Sequence, residues 1–322
     1  MRELVLVFPD LQPLPDGESA AAPDPVRLRF AAARPLRGGW RAVLAHELGR
    51  DDLALAAPAE IVAAAAGFDV GEWWLATPMH WQAGMTSIFV PPDAVLHPSR
   101  EEAAELSTAF AATFGADGLA LVPVAGGHWL LRGLATEGAD APEPERLLGT
   151  TLDHEVLQGA GAATLRAFGS EIEMWLHGLP LNRRREQAGL PRICALWFWG
   201  GGVTRRDGIV ATAKAADEHG TMTIFCSADP WLRAACGLAA RDCVQPLADA
   251  AASIEFLLRA DAPRRIFVGA FDRGAYDAAV AALQSGAITR LTLLGSDRAT
   301  DLAATDRWRF WRPRRSLLEA LA

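Results

Sequence analysis

Between Leu181 and Gly202 the sequence reads LNRRREQAGLPRICALWFWGGG. An arginine-dense polar turn holding Asn182, Arg183, Arg184 and Arg185 leads through Gly189 and Pro191 into an apolar run over residues 193–199. Gly200, Gly201 and Gly202 end that run, and a helical pattern begins near Asp207. Strand, glycine loop and helix start together make an anion site, because free N–H groups at a helix start aim at the ligand and glycine lets backbone come close. Thr204, Arg205 and Arg206 follow the glycines, and guanidinium forks match phosphate and carboxylate geometry. The spacing fits neither a P-loop nor GxGxxG, so a tight turn that simply ends a strand is the alternative. The predicted ligand-binding residues are Asn182, Arg185, Gly200, Gly201, Gly202, Thr204 and Arg205. Their predicted ligand is a small phosphorylated or carboxylated metabolite.

Four aspartates fall just past strand-like runs, where open α/β folds place ligand groups. Asp10 follows residues 4–8, Asp229 follows 221–226, Asp272 follows 265–268 and Asp297 follows 290–294. As a set they are candidate ligands for a hard or borderline divalent cation. Singly, aspartate in such loops is a turn or cap residue. The seven histidines show neither HxH nor HExxH spacing, and Asp153, His154 and Glu155 read as a cap at a helix start. There is no GxSxG elbow, and no Ser–His–Asp or Cys–His set follows from chain order. Cys194, Cys226, Cys236 and Cys243 lack CxxC or zinc spacing, which predicts reduced thiols in a cytoplasmic protein. Residues 307–315 (RWRFWRPRR) interleave five arginines with Trp308, Phe310 and Trp311. In a chain of net charge −8 this predicts a tail whose rings pack on the body, or a surface for a protein partner, rather than a nucleic-acid site.

The elements that must position these groups follow from patterning. At 322 residues, with 51% hydrophobic and 22% charged residues, the chain can bury a full core. Eleven tryptophans stand against one tyrosine, and most are expected inside. Short apolar runs at 4–8, 119–124, 128–132, 193–199, 221–226, 265–268 and 290–294 are predicted strands. Amphipathic stretches at 40–48, 58–66, 100–114, 153–168, 208–219, 230–238, 247–259 and 275–283 are predicted helices. Ser99 with Glu102 forms a capping box, and Asp229–Pro230 marks another helix start. Strands alternate with helices in the C-terminal half, which predicts a parallel α/β sheet. No run reaches the roughly 18 apolar residues of a membrane span, and the short apolar start closed by Pro9 and Asp10 reads as a buried strand, not a signal peptide.

The stretch 181–202 resembles a segment of the archaeal-type, cofactor-independent phosphoglycerate mutases of the alkaline phosphatase superfamily. There an H-P-x-N element precedes an arginine, a Gly-x-Pro and an apolar strand ending in G-x-G. Asn182, Arg185, Gly189, Pro191, Gly200 and Gly202 match, and His177, Gly178 and Pro180 lie near the H-P position. A bacterial group of mutase-like proteins without assigned activity is more similar still, sharing an LWxWGGG ending with residues 196–202. Weaker similarity takes in residues 7–10, the helix with Glu102 and Leu106, and the His128 strand, nearly the whole chain. The resemblance implies an alkaline-phosphatase-like α/β core over residues 1–72 and 150–322, with a small α+β unit inserted at 73–149. It also implies a metal centre, yet the late D-E-x-x-H motif falls near FDRGAYD (271–277) and the D-H motif near GSD (295–297), both without histidine. The nucleophile position has no counterpart. Activated-nucleophile, two-metal chemistry loses its groups. The leading expectation is a catalytically degenerate mutase-like protein that binds a small anion in sensing or regulation. The alternatives are a rearranged Mn²⁺- or Zn²⁺-dependent mutase or phosphatase, and an interaction scaffold built on the Trp/Arg surfaces.

Overall fold

The computed structural model describes residues 2–11, 28–69, 71–84, 87–124, 127–136, 138–152, 156–201, 223–309, 311–315 and 317–321. The predicted helix at 208–219 lies outside them. The chain divides into two compact units, Met1–Ala54 with Thr212–Ala322, and Leu55–Ala211. The first unit opens with β1 (Glu3–Val7), β2 (Arg34–Pro35) and α1 (Gly39–Glu47). The second holds α2 (Pro58–Ala65), β3 (Trp73–Met79), β4 (Gln82–Ala83), β5 (Ile88–Phe89), α3 (Arg100–Phe114), β6 (Ala120–Pro123) and β7 (Trp129–Arg132). It continues through β8 (Thr151–Leu152), α4 (Ala162–Gly178), α5 (Pro180–Gln187) and β9 (Ala195–Trp199). The first unit then resumes with β10 (Thr223–Ser227), α6 (Pro230–Leu238), β11 (Cys243–Val244), α7 (Ala250–Arg259) and β12 (Arg264–Val268). It closes with α8 (Arg273–Ser285), β13 (Arg290–Leu294), β14 (Arg298–Ala303) and α9 (Leu317–Leu321).

The first unit is α/β, a mostly parallel seven-stranded sheet in the order β11-β10-β12-β1-β13-β14-β2. The first five strands run parallel, and β14 returns antiparallel to β13. β1 reads ELVLV and is buried at every position, as a strand paired on both sides must be. Helices α7 and α8 and the apolar side chains Leu4, Leu6, Phe267 and Leu293 share one core. Asp229 caps α6 with Pro230 at its first position, and Asp272 caps α8.

The second unit carries an antiparallel sheet, β6-β7-β3-β9, and a small antiparallel sheet, β4-β5-β8. The capping box at Ser99 and Glu102 starts α3 as expected. Three expectations are corrected here. β9 does not join the large sheet but pairs antiparallel with β3, because ALWFW, buried on both faces, carries no alternation that distinguishes the two settings. Asn182, Arg183, Arg184 and Arg185 lie in helix α5 rather than a turn. The helix expected at 153–168 begins at Ala162 and runs to Gly178, with Leu165, Phe168, Ile172 and Leu176 on its buried stripe. The second unit takes in α4, α5 and β9 beside the hairpins that precede them.

No helix among the described residues is long and apolar enough to cross a membrane. Seven tryptophans are buried, Trp40, Trp73, Trp74, Trp129, Trp197, Trp199 and Trp231. The C-terminal rings depart from expectation, with Trp308 71% and Trp311 67% exposed. What anchors that tail is charge and backbone: Arg309 and Arg312 pair with the buried carboxylate of Asp306, and Leu28 bridges Arg315.

Candidate functional site

The predicted anion residues are held by the fold in two separate places. Asn182 is 1% exposed. Its Nδ2 donates to Leu176 O and Ile193 O, both at 2.9 Å, and Ile193 N donates to Oδ1 at 2.8 Å. That uses both donors and an acceptor of the amide to tie the end of α4 to the entry of β9. Arg185 is also buried; Nε donates to Pro191 O at 2.8 Å and Nη1 meets Glu102 Oε1 at 2.7 Å. At the far end of β9, roughly 16 Å along at 3.3 Å per residue, Gly200 sits at φ +61° and its carbonyl accepts from Ala59 N at 2.9 Å. A Cβ on Gly201 would lie 2.3 Å from Trp74 Cδ2. Asn182 and Arg185 therefore do not converge with the glycines, and each described member serves packing or backbone pairing. Gly202, Thr204 and Arg205 lie outside the described residues.

The four strand-end aspartates do line one edge of the parallel sheet in the first unit, as their spacing implied. The oxygens of three of them, however, face backbone donors. Asp10 accepts from Phe271 N at 2.8 and 2.9 Å. Asp229 accepts from Leu232 N and stands 3.8 Å from Arg41; Asp272 accepts from Ala275 N. Asp297 is exposed on the turn between β13 and β14. Among the described residues no group of three or more His, Cys, Asp or Glu is placed to hold a metal ion. Asp10, Asp229 and Asp272 thus each spend at least one oxygen on a backbone N–H.

Burial pushes the Asp10 carboxyl up from 3.8 to about 6, outweighing its hydrogen bond from Phe271 N. A raised carboxyl favours the fold below its unfolded value, and that contribution is lost as pH rises through 6. Asp10→Asn keeps an acceptor for Phe271 and removes the desolvated charge. Urea unfolding is expected to show the variant more stable by ~2 kcal/mol at pH 7.5 and equal to the parent at pH 3.5. A variant less stable at pH 7.5 would mean that the ionised carboxylate supports the fold.

A cavity of about 900 Å³ opens in the second unit between the β4-β5-β8 sheet, α4 and β9. Trp81, Ile88, Leu157 and Trp197 supply apolar wall, and Trp197 is fixed by its indole N–H donating to Pro142 O at 2.9 Å. Arg166, Ser170 and Glu173 line the same side at helical spacing on α4. Gly169 lies among them, and an added Cβ there would meet nothing within 4 Å. Burial raises the Glu173 carboxyl, which favours its protonated, hydrogen-bond-donating form. Apolar walls with a few convergent polar groups are the ordinary build of a small-molecule site, and the volume lies within the usual range of ~300–1,000 Å³.

Two further polar groups turn out to be structural. His128 is buried and held down to about 3 by desolvation, hence neutral; its Nδ1 meets Thr77 Oγ1 at 2.9 Å, and Trp199 Nε1 donates to the same hydroxyl at 2.8 Å. The trio knits β3 and β9 to the residue that leads into β7. Cys194 Sγ lies 3.5 Å from His80 Nδ1, a pairing across 114 positions that chain order did not reveal. Arg192 O stands 3.1 Å from the same Nδ1 and can only accept, so that nitrogen carries the proton and is no base for the thiol.

No family model matches the sequence, and no curated protein matches it. Among solved structures the chain is similar to the cofactor-independent phosphoglycerate mutase from Thermoplasma acidophilum DSM 1728, at 15% identity and a TM-score of 0.40, covering 99% of this chain and 95% of that one. It is also similar to the PH0037 protein from Pyrococcus horikoshii, at 10% identity and a TM-score of 0.42, covering 99% and 91%. The α/β assignment stands on the strand order and register described above.

Proposed function

We propose that the chain is a mutase-like protein that has kept a ligand-binding role without phosphoryl transfer, and that its ligand enters the cavity beside α4. The observation that carries this reading is the cavity itself: apolar walls on one side, with Arg166, Ser170 and Glu173 gathered on the other. Arginine offers a fork to a carboxylate or phosphate, and burial shifts the Glu173 carboxyl beside it toward its neutral form. The ligand class is thus an amphipathic small anion, and the biological role is sensing or regulation. Loss of the reaction is supported by the backbone bonds that occupy Asp10, Asp229 and Asp272.

The test uses 8-anilinonaphthalene-1-sulfonate, which joins apolar rings to an anionic group. Native protein is expected to bind the dye with a fluorescence rise and thermal stabilisation. Gly169→Trp, which fills the cavity from an open position, is expected to abolish both, and Arg166→Ala to weaken binding about tenfold, equivalent to 1.4 kcal/mol. Equal dye binding by Gly169→Trp would overturn the placement.

A second reading, a Mn²⁺- or Zn²⁺-dependent mutase or phosphatase, draws on the alignment of the four aspartates at neighbouring strand ends. Conversion of 3-phosphoglycerate to 2-phosphoglycerate by protein stripped of metal and reloaded with Mn²⁺ would establish it and end the non-catalytic reading.

A further inference from the structure

β9 stands at the edge of its sheet, with β3 on one side only. Which of its backbone groups point outward follows from β3. Pro78 O accepts from Leu96 N and His80 N donates to Ala94 O, so residues 78 and 80 turn away from β9. Met79 O accepts from Cys194 N, so Met79 turns toward it. Backbone groups alternate sides along an antiparallel pair. Trp197 therefore meets Thr77 in the ladder, while Leu196 and Phe198 send their N–H and C=O groups to the outer side. Among the described residues no hydrogen bond reaches those outer groups. The outer side is closed again at Gly200, whose carbonyl accepts from Ala59 N.

This open stretch meets the cavity of about 900 Å³, which Ala195, Leu196, Trp197 and Phe198 all line. Consecutive side chains of a strand point to opposite faces, so a cavity that touches successive residues meets the strand along its edge and not across one face. Edge strands are ordinarily guarded by charge or proline, because their unpaired groups are a template for another strand. ALWFW carries neither guard. Here α4 and the β4-β5-β8 sheet wall the space in, which limits what can pair with the edge to a short segment.

Taking the cavity as the ligand site argued above, we propose that its occupant is a short extended peptide, which adds as a strand to the outer edge of β9 and sets its terminal carboxylate at Arg166. Main-chain hydrogen bonds to Leu196 and Phe198 supply affinity, as they do wherever a peptide augments a sheet edge. A partner that pairs with both residues spans roughly 10 Å of extended chain at 3.3 Å per residue, which is the reach of a tripeptide. Trp81, Ile88, Leu157 and Trp197 offer apolar wall to its side chains, and the guanidinium on α4 matches its carboxylate. An anion without amides would leave the edge groups unmade, and a buried polar group without its partner is costly.

The probe is N-acetyl-trivaline with a free carboxylate, added to the full chain holding 8-anilinonaphthalene-1-sulfonate. The peptide is expected to displace the dye. Methylating its amide nitrogens, which removes the donors and keeps the side chains, is expected to weaken it about tenfold. Arg166→Ala is expected to weaken the acid about tenfold and to leave the matching carboxamide unchanged. Hydrogen exchange in the free protein is expected to be faster at the Leu196 and Phe198 amides than at Trp197, and the peptide to slow those two selectively. Dye binding that the peptide does not displace, or displacement that the methylated peptide matches, would overturn strand addition and leave the cavity as a site for another anion. Binding of neither dye nor peptide would instead overturn the cavity as a site. Leu196 and Phe198 amides as protected as Trp197 before any peptide is added would mean that the edge is already paired, which also overturns the proposal.

Discussion

Gly201→Ala is expected to destabilise the second unit by about 3 kcal/mol, read as a shift in urea midpoint followed by tryptophan fluorescence. The added Cβ would sit 2.3 to 2.6 Å from three ring carbons of Trp74, a side chain only 2% exposed. A close-packed interior has no room for the ring to swing away, and overpacking typically costs about 1–3 kcal/mol. The companion Gly169→Ala points the other way. That glycine is inside α4 with open space around it, so alanine should add roughly 0.5–1 kcal/mol through helix propensity and reduced chain entropy. If instead Gly201 is small so that a ligand can approach the backbone, its alanine variant would keep its midpoint and lose only stabilisation by inorganic phosphate. The two outcomes separate a packing glycine from a binding one.

The sequence carried most of the first unit in plain form. Apolar runs on β1, β12 and β13 are long enough for a doubly paired strand, and Asp229–Pro230 marks the start of α6 through cap chemistry that acts within four residues. Local signals of that kind survive in any tertiary setting. β9 had no such signal, because five consecutive large apolar residues suit a parallel strand and an antiparallel one alike. Helix α5 was hidden for the opposite reason: NRRREQ is polar all round, and its helix is held by two side chains, Asn182 and Arg185, that reach partners up to 83 positions away. Gly169 made α4 look finished one turn after Leu165, which concealed Ser170 and Glu173 as members of a stripe. The cavity then had no sequence signature, since its wall is assembled from residues 81–84, 87–88, 151–152, 156–157, 165–173 and 195–198.

This difference in legibility bears on function. An arginine beside a glycine run matches a phosphate cradle in composition, yet the same groups are equally what a helix needs to hold an incoming strand. Which use prevails depends on where the carbonyls of Pro191 and Ile193 come to rest, and that is a long-range outcome. Arg166 shows the converse, a residue with no motif around it that the fold delivers to a 900 Å³ opening.

Arg185→Ala puts that distinction to measurement. Arg185 and Glu102 have side chains 7% and 21% exposed and meet at 2.7 Å, while Glu102 Oε2 also accepts from Ser99 N to complete the α3 capping box. Removing the guanidinium leaves a largely buried carboxylate uncompensated and the Pro191 carbonyl without its donor. Breaking one half of such a pair costs about 3–5 kcal/mol, and the lower end applies here because Glu102 keeps some contact with water. The second unit should therefore unfold with a loss of about 3 kcal/mol, and Arg185→Lys should recover only part of it, since one ammonium cannot span both partners as the fork does. In a double-mutant cycle Glu102→Ala with Arg185→Ala should fall well short of the sum of the single losses, with a coupling of about 2 kcal/mol. A binding arginine behaves otherwise. Its alanine variant would keep the parental midpoint, show no coupling to Glu102, and lose the thermal stabilisation given by inorganic phosphate. Because the buried pair lies between α3 and α5 and not at solvent, raising the salt from 0.1 to 1 M should leave the coupling nearly intact. A coupling that vanished in salt would mean that the contact is a surface pair and that Arg185 is available to a ligand after all.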